Sequence, residues 1–132
     1  MVRDVHGPAD VKAAIERLAS ERVDVAIVLQ TNTLISERRQ IAALVAAHRL
    51  PTVYGYREHV DDGGLISYGV DLRWCWHRAA NFVHQILNGA AAGNLPLEFP
   101  THLVLAINLK TAKALGLEFS PLLLARADII VE

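Results

Sequence analysis

Cysteine is almost missing from this chain. Cys75 stands alone, so no internal disulfide can form and cysteine usage does not mark a redox compartment. No apolar run approaches the roughly 18 residues that cross a bilayer. The opening Met1-Val2-Arg3-Asp4-Val5-His6-Gly7-Pro8 lacks the apolar centre of a secretion signal. Neither charge sign dominates: 13 basic against 14 acidic side chains leave a net −1. Without a basic stripe, nucleic acid is excluded as an expected partner. There is no G-x-G-x-x-G and no Walker loop, so a nucleotide fingerprint is absent. The six histidines form no i, i+4 pair and have no Cys-x-x-Cys companion, which argues against a metal site. No cofactor is implied.

What remains is a globular composition, 52% hydrophobic and 20% charged, on 132 residues, enough for a single domain with a real core. Gly7-Pro8 opens a helix whose Val11, Ala14, Ile15, Leu18 and Ala19 share one face. Val25 to Leu29 is a continuous apolar run bounded by polar residues, the mark of a buried parallel strand. A second helix follows over about Leu34 to His48. Strands are expected at Pro51 to Tyr56, Leu65 to Tyr68 and His102 to Ile107. A third helix begins after Asp71 with the stripe Leu72, Trp76, Ala79, Val83, Ile86 and Leu87, and Gly89 ends it. Asn108 caps a fourth helix that Gly116 stops, and Ser120-Pro121 starts a short last one. Alternating strands and helices give an α/β fold: a Rossmann-like parallel sheet covered by helices on both faces. In such sheets ligands sit beyond the C-terminal ends of the strands. The loops Gln30 to Thr33, Tyr56 to Val60 and Tyr68 to Asp71 occupy that position.

Each loop has two readings. Gln30, Thr31, Asn32 and Thr33 present amide and hydroxyl groups at a helix start, suited to a carboxylate or to simple capping. Tyr68 and Asp71 supply an aromatic face and an acid, suited to an amino acid; equally, Gly69 turns the chain and Asp71 caps a helix. Tyr56 and Arg57 offer a ring and a carboxylate fork, or a solvated loop with Glu58. In Trp74-Cys75-Trp76-His77, Trp76 falls on the apolar stripe and Trp74 on the polar face. His77 lies on a different helical face from Cys75, so a catalytic thiol is not supported.

Several motifs resemble one family. They are Gly63-Gly64-Leu65-Ile66-Ser67-Tyr68-Gly69, His48-Arg49-Leu50-Pro51, Ile86-Leu87-Asn88-Gly89, the run Asn94 to Thr101, Asn108-Leu109-Lys110-Thr111-Ala112-Lys113-Ala114-Leu115-Gly116-Leu117, and Leu123 to Asp128. The resemblance is to the ABC-transporter substrate-binding proteins of the uncharacterised and tryptophan-binding type, which have a type-1 periplasmic-binding fold. It implies a two-lobed protein that binds a solute without chemistry, works with an ABC permease and resides in the periplasm. It matches Ser67, Tyr68, Gly69, Val70 and Asp71 to a segment that faces the cleft between lobes. The chain departs from the family at Trp74 and Cys75, and has no acid in the Gln30 to Thr33 loop.

On this reading the chain is one α/β domain, in which 1–100 form the C-terminal lobe. Residues 101–132 are then a cross-over strand and tail that pack on the other lobe. The expected function is to bind a small molecule such as an amino acid between lobes. Homo-oligomers are expected through exchange of the C-terminal segment. The alternatives are a small α/β enzyme, and a lobe that only oligomerises.

Overall fold

The computed structural model describes residues 2–132. The strands are β1 (Ala26–Val28), β2 (Thr52–Tyr54), β3 (Ile66–Val70), β4 (Leu103–Asn108) and β5 (Ile129–Val131). The helices are α1 (Pro8–Ser20), α2 (Asn32–Ser36), α3 (Arg38–Ala47), α4 (Arg57–Asp61), α5 (Leu72–Leu87), α6 (Leu109–Leu115) and α7 (Pro121–Leu124). The strands form one mixed sheet in the order β1-β2-β3-β4-β5. All neighbouring pairs are parallel except β3 with β4.

One sheet face builds the core. Val11 and Ile15 of α1 meet Ile41 and Val45 of α3 over Ala26, Leu50 and Tyr54. Burying each such aliphatic side chain contributes about 1.5–3 kcal/mol before entropy is counted. The i, i+4 placement of Val11 with Ile15 and of Ile41 with Val45 aims both pairs at the sheet. Both helices end on an arginine in the left-handed region, Arg22 (φ 52°) and Arg49 (φ 50°), where glycine is usual. The opposite sheet face is partly open: Ile27 is 69% and Tyr68 60% exposed.

Three expectations change. The helix anticipated over Leu34 to His48 is two helices. Glu37 breaks it, and the Arg38 Nη1 group donates to the Ile35 carbonyl at 3.1 Å in addition to a backbone amide. Arg38 also pairs with Asp62 at 2.6 Å, a contact that holds the break in place. The stretch Tyr56 to Val60 is not a loop, because Tyr56 caps α4 and Arg57 starts it.

The third change concerns residues 101–132. They were expected to leave for another lobe, yet β4 pairs with β3, and β5, the apolar tail, pairs with β4. The Asp71 amide donates to the His102 carbonyl at 3.0 Å. The chain therefore returns to the same end of the sheet that it left, and β4 has to run antiparallel to β3. The element without cover is instead α5, none of whose residues is buried. Trp76, placed in the core by its stripe position, is 73% exposed and Leu87 81%. Trp74, expected on the polar face, is half-buried and stacks on His102 at 6.3 Å between ring centroids. Among the described residues α5 is held by its cap at Asp71, by Trp74 on His102, and by Arg78, which pairs with Glu98 while lying over Phe82.

Beneath the core, α4 delivers His59 to a buried position against Tyr54, with ring centroids 4.6 Å apart. Burial lowers the His59 pKa; the nearby backbone of Leu34 and Tyr56 opposes this more weakly, and the Arg38 charge adds to it. A depressed folded-state pKa means that the unfolded chain binds the proton more tightly. Stability is therefore complete above the unfolded histidine value near 6.5 and falls as pH drops below it, until the folded-state pKa is passed. Urea midpoints for the wild type are expected to fall between pH 7 and pH 5, and His59→Phe is expected to remove much of that slope. An unchanged slope in His59→Phe would show that His59 is not the titrating group.

Candidate functional site

Because β1, β2 and β3 are parallel, the segments that follow them emerge at one end of the sheet. Backbone contacts too close for any side chain lock them together. The Gln30 Nε2 group donates to the Gly55 carbonyl at 2.6 Å. A Cβ on Gly69 would stand 1.8 Å from the Gly55 oxygen and 2.6 Å from Gln30 Nε2. A Cβ on Gly55 would stand 2.2 Å from Gln30 Cγ. The three strand ends are thus stacked as Gln30, Gly55 and Gly69. Gly55 was not singled out from the sequence, and Gly69 only as a turn and as part of the family motif, since no local signal reports a contact between segments so far apart in the chain.

Among the candidates, Thr31 acts first as a cap: its Oγ1 accepts from the Leu34 amide at 3.2 Å. Asn32 and Thr33 form the first turn of α2, with Asn32 exposed. At five residues, α2 offers much less of a dipole than the long helix expected there. Gln30 spends one donor on Gly55, and its side chain makes no other hydrogen bond among the described residues. Tyr56 is half-buried at the α4 cap. Arg57 pairs within its own helix, with Nε 3.2 Å from Asp61 Oδ2. An exposed i, i+4 pair of this kind is worth about 0.3–0.5 kcal/mol, so it leaves the guanidinium easy to redirect.

Tyr68 projects from the open face of β3, opposite Leu105. Asp71 caps α5, its Oδ1 accepting from the amides of Arg73 at 2.8 Å and Trp74 at 3.3 Å. The other oxygen, Oδ2, lies 3.8 Å from His102 Nδ1. Asp71, His102 and Trp74 therefore cluster beside the strand ends. His102 could not be placed there from its sequence position, since its placement depends on the reversal of β4. What the arrangement offers is amide, hydroxyl, carboxylate and aromatic surface on a rigid base, and no nucleophile paired with a base. Among the described residues no group of three or more His, Cys, Asp or Glu side chains is placed to hold a metal ion.

A wider opening of about 750 Å3 runs along the free edge of β1, between it and residues 2–5, and Thr31 is the one candidate residue on its wall. Its lining is mainly aliphatic, and it is separate from the Gly55 and Gly69 contact.

The family profile of the ABC transporter substrate binding protein matches residues 2–131. A curated relative, the tyrosine-binding protein of Clostridioides difficile strain R20291, is 24% identical over 110 residues, 83% of this chain and 32% of that one. A conserved domain protein from Vibrio cholerae superposes with a TM-score of 0.87 at 28% identity, over 96% of this chain and 42% of that one. An ABC domain in complex with L-Trp from Streptococcus pneumoniae gives a TM-score of 0.87 at 22% identity, over 96% of this chain and 44% of that one. The chain thus spans about a third of the curated relative and less than half of the solved structures.

Proposed function

Because this chain belongs to the ABC transporter substrate-binding protein family, we propose that it forms one wall of a cleft that holds an amino acid or similar small molecule. The observation that carries this is the convergence of three strand ends through Gln30, Gly55 and Gly69. That rigid base is what a ligand wall needs. The names of two similar proteins, one binding tyrosine and one solved with L-Trp, support an aromatic amino acid as ligand. Tyr68 then stacks on the ligand side chain and Asp71 Oδ2 meets its ammonium. Gln30, Thr31, Asn32 and Thr33 supply donors to the carboxylate, with Tyr56 and Arg57 completing that side. Closure of a second lobe over this wall is the working motion, biased by ligand contacts to both sides. The uncovered stripe of α5 is the surface that such a lobe would cover. An ABC permease as partner and a periplasmic location follow from the same family reading.

A thermal-shift panel of free amino acids, aromatic ones first, tests the proposal on this chain. A concentration-dependent rise for one class is expected. Asp71→Asn keeps the cap on α5, since Asn and Asp cap equally well, while removing the charge. It is expected to weaken the response at least tenfold with little change in the ligand-free midpoint. No rise for any amino acid, or a response that Asp71→Asn leaves intact, would overturn the respective half of the proposal.

A second reading, self-association, is favoured by the exposed Trp76, Val83 and Leu87 on α5. Sedimentation at micromolar concentration separates it: a dimer that Leu87→Glu dissociates supports it, and a monomer removes it.

A further inference from the structure

Strand β1 ends the sheet on one side, and among the described residues no strand pairs with its outer edge. The Ala26 amide donates inward, to the Pro51 carbonyl at 2.9 Å. Alternation along the strand therefore turns the N–H and C=O groups of Val25, Ile27 and Leu29 outward. Exposure alternates in the same way. Val25 is 51%, Ile27 69% and Leu29 67% exposed, while Ala26 is buried and Val28 half-buried. Sheet edges that stay unpaired usually carry charges or proline. Val25 to Leu29 has neither; it is five aliphatic residues in a row, the composition of a strand inside a sheet.

The space beside the edge matches. The opening of about 750 Å3 along β1 has aliphatic walls, among them Val11, Ile15 and Leu18 of α1. A strand laid beside β1 places alternate side chains in that opening and the others next to Ile27. Outward amides and carbonyls in register call for an extended backbone, which bonds to them as an added strand.

The strand's own sequence identifies that backbone. Val25-Ala26-Ile27-Val28-Leu29 is close to symmetric about Ile27. Turned antiparallel against itself, it sets Ile27 against Ile27, Val25 against Leu29 and Ala26 against Val28. The flanking Asp24 meets Gln30 and not a second Asp24, so no like charges face each other. We infer that β1 pairs antiparallel with β1 of a second copy of this chain, joining the two sheets across a twofold axis at Ile27. Such an interface is isologous and closed. It sends the segments that follow β1 in the two copies to opposite ends, so it is independent of the cleft proposed above, and it does not use α5.

Sedimentation at micromolar concentration is expected to give a dimer. Ile27→Lys, at an exposed position, is expected to weaken it at least tenfold with the far-UV circular dichroism unchanged. Leu87→Glu is expected to leave it intact, which separates this edge from association through α5. Cross-linking in a Cys75→Ser background reads the register. In a hydrogen-bonded antiparallel pair the two Ile27 Cα atoms stand about 5.5 Å apart, within the reach of a disulfide. Ile27→Cys is therefore expected to oxidise to a linked dimer. Val25→Cys is expected to link only when mixed with Leu29→Cys, since the two Val25 positions lie roughly 13 Å apart along the strands. If Ile27→Lys does not fold, the cross-linking pattern carries the same information. A monomer, which would leave the edge to another polypeptide, a dimer that survives Ile27→Lys, or Val25→Cys linking to itself as readily as Ile27→Cys would each overturn the inference.

Discussion

Gly69→Ala is expected to destabilise the protein by about 3 kcal/mol, at the upper end of the cost of overpacking. The reason is the identity of the atom in the way. A Cβ at Gly69 lies 1.8 Å from the Gly55 carbonyl oxygen, which is backbone and cannot rotate aside. Gly55→Ala differs, because its nearest obstacle is the flexible Gln30 side chain at 2.2 Å. Swinging Gln30 away relieves the overlap and costs mainly its bond to the Gly55 carbonyl, about 0.5–1.5 kcal/mol. Adding Gln30→Ala should therefore rescue Gly55→Ala and leave Gly69→Ala as damaged as before, a non-additivity that a double-mutant cycle reads directly. Gly93→Ala serves as control, since nothing lies within 4 Å of its added Cβ. A Gly69→Ala variant as stable as this control would disprove the stacked arrangement of the three strand ends.

Asn108→Ala is expected to cost about 1.5–2.5 kcal/mol, read as a shift of the urea midpoint at unchanged slope. Asn108 is 5% exposed and serves two groups at once. Its Oδ1 accepts from the Thr111 amide at 3.0 Å, capping α6, and its Nδ2 donates to the Val60 carbonyl at 3.3 Å. Loss of the cap costs about 1 kcal/mol. The Val60 carbonyl keeps the Gly63 amide as a donor at 3.1 Å, so losing its second bond adds about 0.5–1.5 kcal/mol. Asn108→Ser keeps a cap but has no group long enough to reach Val60, so it should fall between wild type and Ala. Thr111 continues the same seam, its hydroxyl donating to the Gly63 carbonyl at 2.9 Å. A cost below about 0.5 kcal/mol for Asn108→Ala would mean that water replaces both bonds, against the burial seen here.

This places the most distinctive run of the sequence, Asn108 to Leu117, in a structural role. It joins β4 and α6 to the turn that ends α4. The run stood out through its resemblance to the family motif, with Asn108 readable as a helix cap. Why they were there was hidden, since their partners, Val60 and Gly63, are 48 positions away in both cases.

Other parts of the fold were legible for local reasons. The caps Asp71, Asn108 and Ser120 accept backbone amides as their residue types promised, while α2 is capped by Thr31 in place of Asn32 or Thr33 because it starts earlier than Leu34. Strand positions followed from apolar runs. Strand direction did not, because alternation and propensity are the same for a strand read either way. An intervening helix of the length of α5 favoured a parallel crossover. The pairing of Val70 with Leu103 and the bond from Asp71 to His102 show that the excursion closes on itself. The same limit applied to α5. Its amphipathic pattern reported a face that suits burial and could not report whether anything buries it. Trp74 and Trp76 exchanged roles for that reason, since their burial depends on His102 and on the absence of a neighbour over the stripe.

The reversal of β4 has a further consequence. It carries the chain away from Asp71 and His102 and delivers Asn108 beside Leu65, at the opposite pole of the sheet. Contacts made by the strand-end segments and contacts made around α6 are therefore separated by the length of β3. A molecule occupying one pole does not compete for space with a molecule at the other. The strands offer little freedom for a change in twist or register, given the close packing at Gly55 and Gly69. The short helix α4 is the other link, since it begins at Tyr56 and Arg57 and its end is bonded to Asn108 and Thr111.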